Sequence, residues 1–143
     1  MQADDFETST DILKNALEKA ESCIESAKNL IEFEEFDGAV NRAYYGIFWA
    51  VTCVHLLDGN HFKKHKESIG IFNRDYINTG IFPKEFGRRI HNVADFRNDS
   101  DYNIYFKATE QTAKESLKCA QELFDAVKIY CEGRINGNEG KKF

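Results

Sequence analysis

The stretch Phe36–Leu57, FDGAVNRAYYGIFWAVTCVHLL, decides the fold. Its apolar positions recur every three or four residues, the period of an α-helix. They form two adjacent stripes. Val40, Tyr44, Ile47, Val51 and Val54 make a large one, and Ala39, Ala43, Gly46, Ala50 and Cys53 a small one. Small residues let a neighbouring backbone approach closely, while large ones fill a core. A helix that is apolar around most of its girth belongs at the centre of a bundle. Ala43–Leu57 is also the longest apolar stretch, but Tyr44, Tyr45, Thr52 and His55 interrupt it, so it reads as a buried helix with no membrane span. The run Asp58-Gly59-Asn60 stops it.

On the N-terminal side, Leu13, Ala16, Ala20, Cys23, Ala27 and Leu30 form one stripe of a long first helix. That helix is expected to start near Thr8–Thr10, with Ser9 or Thr10 as its N-cap, and to end near Phe33. On the C-terminal side, a third helix is expected over about Lys64–Asn78, with Ile69, Phe72 and Tyr76 inward. A fourth opens near Pro83 and carries Phe86, Ile90, Val93, Ala94 and Arg97. Asn98-Asp99-Ser100-Asp101 reads as a polar break. A last long helix is expected from about Ile104 to Glu132, with Ala113, Leu117, Ala120, Phe124, Val127 and Cys131 in heptad-like steps. The pattern predicts an all-α, up-and-down bundle of about five helices over residues 1–132. Residues 133–143 read as a flexible polar tail.

Composition narrows the function classes. The chain has 143 residues, one Pro and a formal net charge of −5, which suits one domain and excludes a general nucleic-acid binder. Any phosphate site must be local, and the candidate basic stretches are His61-Phe62-Lys63-Lys64-His65-Lys66 and Arg88-Arg89 with Arg97. The acidic, polar N-terminus is no signal peptide, so a cytoplasmic location is expected. Cys23, Cys53, Cys119 and Cys131 form no CxxC motif, and each sits in an apolar helical pattern. They read as small core residues, with no cofactor implied. His55, His61 and His65 lack a fixed helical frame for a metal, and no metal ligands are assigned.

Three segments carry a family resemblance. They are Ala39-Val40-Asn41-Arg42-Ala43-Tyr44-Tyr45-Gly46-Ile47-Phe48-Trp49-Ala50, then His65 with Ile69, Phe72, Tyr76-Ile77 and Thr79-Gly80, and then Arg97-Asn98-Asp99-Ser100-Asp101-Tyr102. In this order and spacing they resemble the HEPN domain (higher eukaryotes and prokaryotes nucleotide-binding), in particular a prokaryotic branch with an arginine–aspartate–tyrosine signature. The resemblance spans about Ala16 to Tyr130. It implies an α-bundle that homodimerises, toxin–antitoxin-like pairing with a small nucleotidyltransferase, and a nucleotide or RNA ligand. It also implies a ribonuclease motif: an Arg, a polar residue, then a His after a short gap, often with a Tyr two residues on. Arg97 and Asn98 match its start, but positions 102 to 104 read Tyr-Asn-Ile. Asn103 stands where the His would be and Tyr105 where the Tyr would be, and Asn cannot shuttle a proton near neutral pH.

The candidate ligand-binding residues are therefore Arg42, Tyr45, Arg97, Asp101 and Tyr102, and the candidate catalytic residues are Arg97 and His65. A guanidinium at Arg97 can grip a phosphate bidentately or pair with Asp101 or Asp99. Arg42 and Tyr45 share a helix face with Trp49, either as a cationic and aromatic platform or as dimer packing. Asp101 and Tyr102 can orient Arg97 or a ribose, or serve local turn chemistry. His65 can act as an acid, a base or a phosphate donor. Three readings follow: a nucleotide- or RNA-binding module, a metal-independent ribonuclease built on Arg97, and a helical dimerisation domain with no ligand.

Overall fold

In the computed structural model the backbone is described for residues 2–141 and the side chains for residues 10–135. The helices are α1 (Gln2–Glu32), α2 (Phe36–Leu57), α3 (His65–Phe72), α4 (Glu85–Tyr102) and α5 (Glu110–Lys141), and no strand occurs among the described residues. α2 is the hub, packing against α1, α3, α4 and α5. Both of its stripes are buried: Ala39, Val40, Ala43, Ile47, Ala50, Val51, Cys53 and Val54 are all 0 % exposed. The small stripe brings a neighbour close, as expected. A Cβ built on Gly46 would stand 3.0 Å from Ile24 Cγ1 and 3.5 Å from the Ala20 carbonyl, so only glycine lets α1 lie this close. Gly59, at φ +80, turns the chain after α2.

Several boundaries differ from the sequence reading. α1 begins at Gln2, so the start expected near Thr8–Thr10 falls inside the helix. No Gly or Pro interrupts Gln2–Glu32, and once nucleated a helix propagates at little cost per residue. Asn98-Asp99-Ser100-Asp101 is no break: α4 runs through it to Tyr102, held by an ion pair one turn long, Arg97 Nε to Asp101 Oδ2 at 3.2 Å. The non-helical link falls later, and α5 starts at Glu110 rather than near Ile104. Thr109 Oγ1 accepts the Thr112 N–H at 3.1 Å, and Asp37 Oδ1 accepts the Ala108 N–H at 2.9 Å, which fixes the link against the start of α2. α5 continues past Glu132 because Arg134 is anchored, donating to Tyr130 Oη at 2.7 Å and Asp58 Oδ1 at 2.8 Å.

The third helix ends in a distortion. After Phe72 the chain makes one π-helical turn, Asn73–Ile77, in which the Asn78 N–H reaches the Asn73 carbonyl at 2.8 Å. Such turns admit an extra residue and re-aim the side chains beside them. All four cysteines are buried thiols, and Cys53 Sγ on α2 lies 3.5 Å from Cys131 Sγ on α5.

Candidate functional site

Arg97 is the centre of the site. It projects from α4 toward α2, and its side chain is only 17 % exposed. Its Cζ sits 4.8 Å from the centroid of the Tyr44 ring and 5.7 Å from that of Tyr45. Nη2 donates to Tyr45 Oη at 3.2 Å and Nη1 to Asn98 Oδ1 at 3.2 Å. The ion pair with Asp101 is too bent to be a hydrogen bond, so the buried Nε–H has no aligned acceptor. Tyrosine faces and a carboxylate together offset the desolvation cost of holding a guanidinium here. Burial raises the Tyr44 phenol above its ordinary value, with the Arg97 charge opposing the shift.

Arg42 also packs on Tyr45. Its Cζ lies 5.1 Å from the Tyr45 centroid, and its Nη2 donates to Asn41 Oδ1 at 2.9 Å. Asn41 Nδ2 in turn donates to Asp101 Oδ2 at 3.5 Å. Arg42, Tyr45, Arg97 and Asp101 thus form one connected cluster. Trp49, one turn further along α2, is covered by Lys19 Nζ at 5.0 Å.

His65 joins the cluster from the first turn of α3. Its ring centroid is 4.2 Å from Phe48, 5.1 Å from Tyr45 and 5.9 Å from Tyr44. Burial and then the nearby Arg97 charge hold its pKa below the usual imidazole range, so it stands neutral near pH 7. His55, by contrast, is wholly buried and committed to structure, its Nε2 donating to the Ser68 carbonyl at 2.8 Å. Tyr102 turns to solvent at 78 % exposure and makes no side-chain hydrogen bond among the described residues.

Asn103, at the motif's histidine position, shapes a turn. Its N–H closes α4 on the Asp99 carbonyl at 3.0 Å, its Oδ1 accepts the Tyr105 N–H at 3.0 Å, and its carbonyl accepts the Phe106 N–H at 3.0 Å. That turn leaves Tyr105 95 % exposed.

Between α3 and α4 lies a groove of about 480 Å³ walled by Tyr44, His65, Lys66, Asn73, His91, Asp95, Arg97 and Asn98. From this wall the sequence singles out Arg97 and His65, and Lys66 within the basic stretch His61–Lys66, but not Asn73, His91 or Asp95. The signal for three wall residues on α4 was present: His91, Asp95 and Asn98 recur at helical spacing on one face. Asn73 gave no signal, because its placement depends on the π-helical turn. Among the described residues, no group of His, Cys, Asp and Glu could hold a metal ion.

The bundle and its largely buried guanidinium define an all-α domain with a groove of mixed character beside its central helix. Residues 13–130 match the HEPN domain family, and the chain belongs to it. It is 32 % identical over 114 residues to a UPF0332 protein of Thermotoga maritima, covering 80 % of this chain and 86 % of that one. It is 28 % identical over 118 residues to a Methanocaldococcus jannaschii protein named "Putative toxin MJ0142", covering 82 % of this chain and 80 % of that one. The crystal structure of TT1696 from Thermus thermophilus superposes with a TM-score of 0.71 at 17 % identity, covering 81 % of this chain and 95 % of that one, a likeness of fold. No helix among the described residues is long and apolar enough to cross a membrane.

Proposed function

We propose that this protein is a HEPN-type nucleotide- and RNA-binding module, with Arg97 as the phosphate grip of the groove between α3 and α4. One observation carries this reading. A guanidinium only 17 % exposed, steadied by two tyrosine rings, stands in a groove whose wall also presents Lys66, His65 and His91. Among the described residues Nη1 is bound only to the neighbouring Asn98 amide oxygen, a neutral acceptor that a phosphate oxygen outcompetes. The exposed Lys63 and Lys64 flank the groove's α3 wall and supply a local positive approach in an acidic chain. Membership of the HEPN family and a relative whose name marks it as a candidate toxin favour a toxin-like role. A homodimer acting beside a nucleotidyltransferase partner is the assembly that fits this role.

Nitrocellulose retention of a short single-stranded RNA, measured with EDTA present at low and high salt, tests the binding. Retention is expected to fall with salt and to be lost in Arg97→Ala. Equal retention by Arg97→Ala removes Arg97 as the phosphate grip. Co-purification with the nucleotidyltransferase encoded beside it, where there is one, tests the partner.

The ribonuclease reading has one observation in its favour. The neutral imidazole of His65 lines the same groove as Arg97, so a base is present although the motif position holds Asn103.

A further inference from the structure

Away from the groove, the bundle holds two sulfur atoms in contact. Cys53 on α2 and Cys131 on α5 are both 0 % exposed, and their Sγ atoms lie 3.5 Å apart although the residues are 78 positions apart in the chain. A disulfide sets its sulfurs about 2.0 Å apart, so side-chain rotation and a slight approach of the helices must close about 1.5 Å. The Cys53 thiol also faces the Leu13 carbonyl of α1 at 3.7 Å. A hydrogen bond from Cys53 lowers the Cys131 thiol below its ordinary pKa against the pull of burial, and the Arg134 charge lowers it further. Cys23 and Cys119 differ, because burial raises both of those thiols. A clamp lies one turn beyond Cys131. Arg134 donates to Asp58, at the end of α2, at 2.8 Å and to Tyr130 Oη at 2.7 Å, and Asp58 also accepts the Tyr76 hydroxyl. The Arg134 and Asp58 side chains are 39 % and 31 % exposed, so water reaches the clamp but not the sulfurs. The chain between the two cysteines contains α3 and α4, the helices on either side of the groove.

We propose that Cys53 and Cys131 are a peroxide-sensitive thiol pair that closes to an intramolecular disulfide between α2 and α5, gated by the Arg134–Asp58 clamp. A half-exposed ion pair holds only weakly, and its opening frees the end of α5 and admits hydrogen peroxide to Cys131. The Cys131 thiolate attacks one peroxide oxygen, the oxygen–oxygen bond breaks and hydroxide leaves, which makes a sulfenic acid. The Cys53 thiolate then bonds to the Cys131 sulfur, the sulfur–oxygen bond breaks and a second hydroxide leaves. The two thiol protons neutralise the two hydroxides. Two thiols have lost two electrons in all, and one peroxide has become two waters. Because the partner sulfur already stands in contact, closure outruns further oxidation of the sulfenic acid, and a thiol reductant reverses it. The bond ties both ends of the segment that carries α3 and α4. This holds whatever the groove binds.

The test treats the reduced full chain with hydrogen peroxide, blocks the remaining thiols and maps the peptides without reducing them. The expected result is one bond from Cys53 to Cys131 within a chain, loss of two of the four free thiols, and their return with dithiothreitol. The oxidised chain is expected to melt roughly 10 °C above the reduced one, since a disulfide that closes a long loop narrows the unfolded ensemble. In Cys53→Ala that shift vanishes, and dimedone traps a sulfenic acid on Cys131. A Cys23→Ala, Cys119→Ala double variant keeps both the bond and the shift. Arg134→Ala and Asp58→Asn each close the bond several-fold faster than the wild type. Four free thiols after peroxide, a sulfinic acid on Cys131 beside a free Cys53, or a bond that joins two copies of the chain each overturns the thiol pair. Closure at the wild-type rate in both clamp variants overturns the clamp as its gate.

Discussion

Where α1, α2 and α5 meet, Ala20, Ala27, Ala43, Ala50 and Ala120 are all 0 % exposed, and Leu123, Val51 and Ile47 fill the space between them. Where α2, α3 and α4 meet, Phe72 and Ile90 are buried as well, but the groove above them is lined with a guanidinium, a tyrosine, histidines and asparagines, and Asn73 Oδ1 and Arg97 Nε are buried with no aligned partner. The seam is apolar and closed. The groove carries polar groups whose burial costs stability unless something binds them. Such unmatched donors and acceptors, with a π-helical turn beside them, mark the side of the bundle on which function sits. The opposite seam supplies the rigidity that holds Tyr44 and Tyr45 against Arg97.

The sharpest way to break this contrast is to damage each side in turn. Leu123→Ala leaves a hole in the seam and is expected to cost about 3 kcal/mol. For a chain of this size that lowers the melting temperature by roughly 10 °C. RNA binding by the fraction still folded should be unchanged, and calorimetry with anisotropy on one sample checks both. Arg97→Ala is the converse. Affinity for a short RNA is expected to fall at least about tenfold, roughly 1.4 kcal/mol, while the fold persists in circular dichroism.

A milder change sharpens the seam. Gly46→Ala places a methyl group 3.0 Å from Ile24 Cγ1, so α1 and α2 must part slightly. A loss of about 1 kcal/mol in urea unfolding is expected, the overpacking outweighing the helix propensity gained.

The smallest effect is one of pH. Burial pulls the His55 imidazole below its ordinary pKa, against the Ser68 carbonyl and the Asp75 and Asp58 charges, which raise it. The unfolded chain therefore takes up a proton near about pH 6.5 before the folded one does. The His55 contribution is complete above that pH and lost progressively as pH falls below it. The half-buried His65 shifts in the same direction. The melting temperature should drop between neutral pH and pH 5, and more shallowly in a His55→Gln variant.

Much of the fold was legible because it rests on periodicity. The large and small stripes of α2 alone assign a central helix and the close approach of a neighbouring backbone, which the structure shows to be α1 at Gly46. The boundaries were harder, since composition does not reveal tertiary partners. Asn98-Asp99-Ser100-Asp101 has the composition of a turn, yet Asp101 is held by Arg97 and Asn41, and the helix continues. In the site, Arg97, Arg42, Tyr45, Asp101 and His65 were each visible as residues of the right chemistry. Their convergence in one cleft was expected from the family resemblance rather than from any pattern in the residues, because His65 on α3 and Arg97 on α4 meet only through the packing of both helices on α2. His91 and Asp95 were overlooked for the same reason: an exposed His–Asp pair on a helix looks like surface until a second wall stands across from it.

The central claim is that the groove between α3 and α4, rather than any other face, receives the phosphate. Amide chemical-shift mapping tests it most directly: isotope-labelled protein titrated with a short all-deoxy single strand, with resonances followed on every helix. The account predicts shifts confined to His65, Lys66, Gly70, Ala94, Arg97 and Asn98, saturating together and absent in Arg97→Ala. Shifts that map instead to α1 and α5, or that persist unchanged in Arg97→Ala, would contradict it.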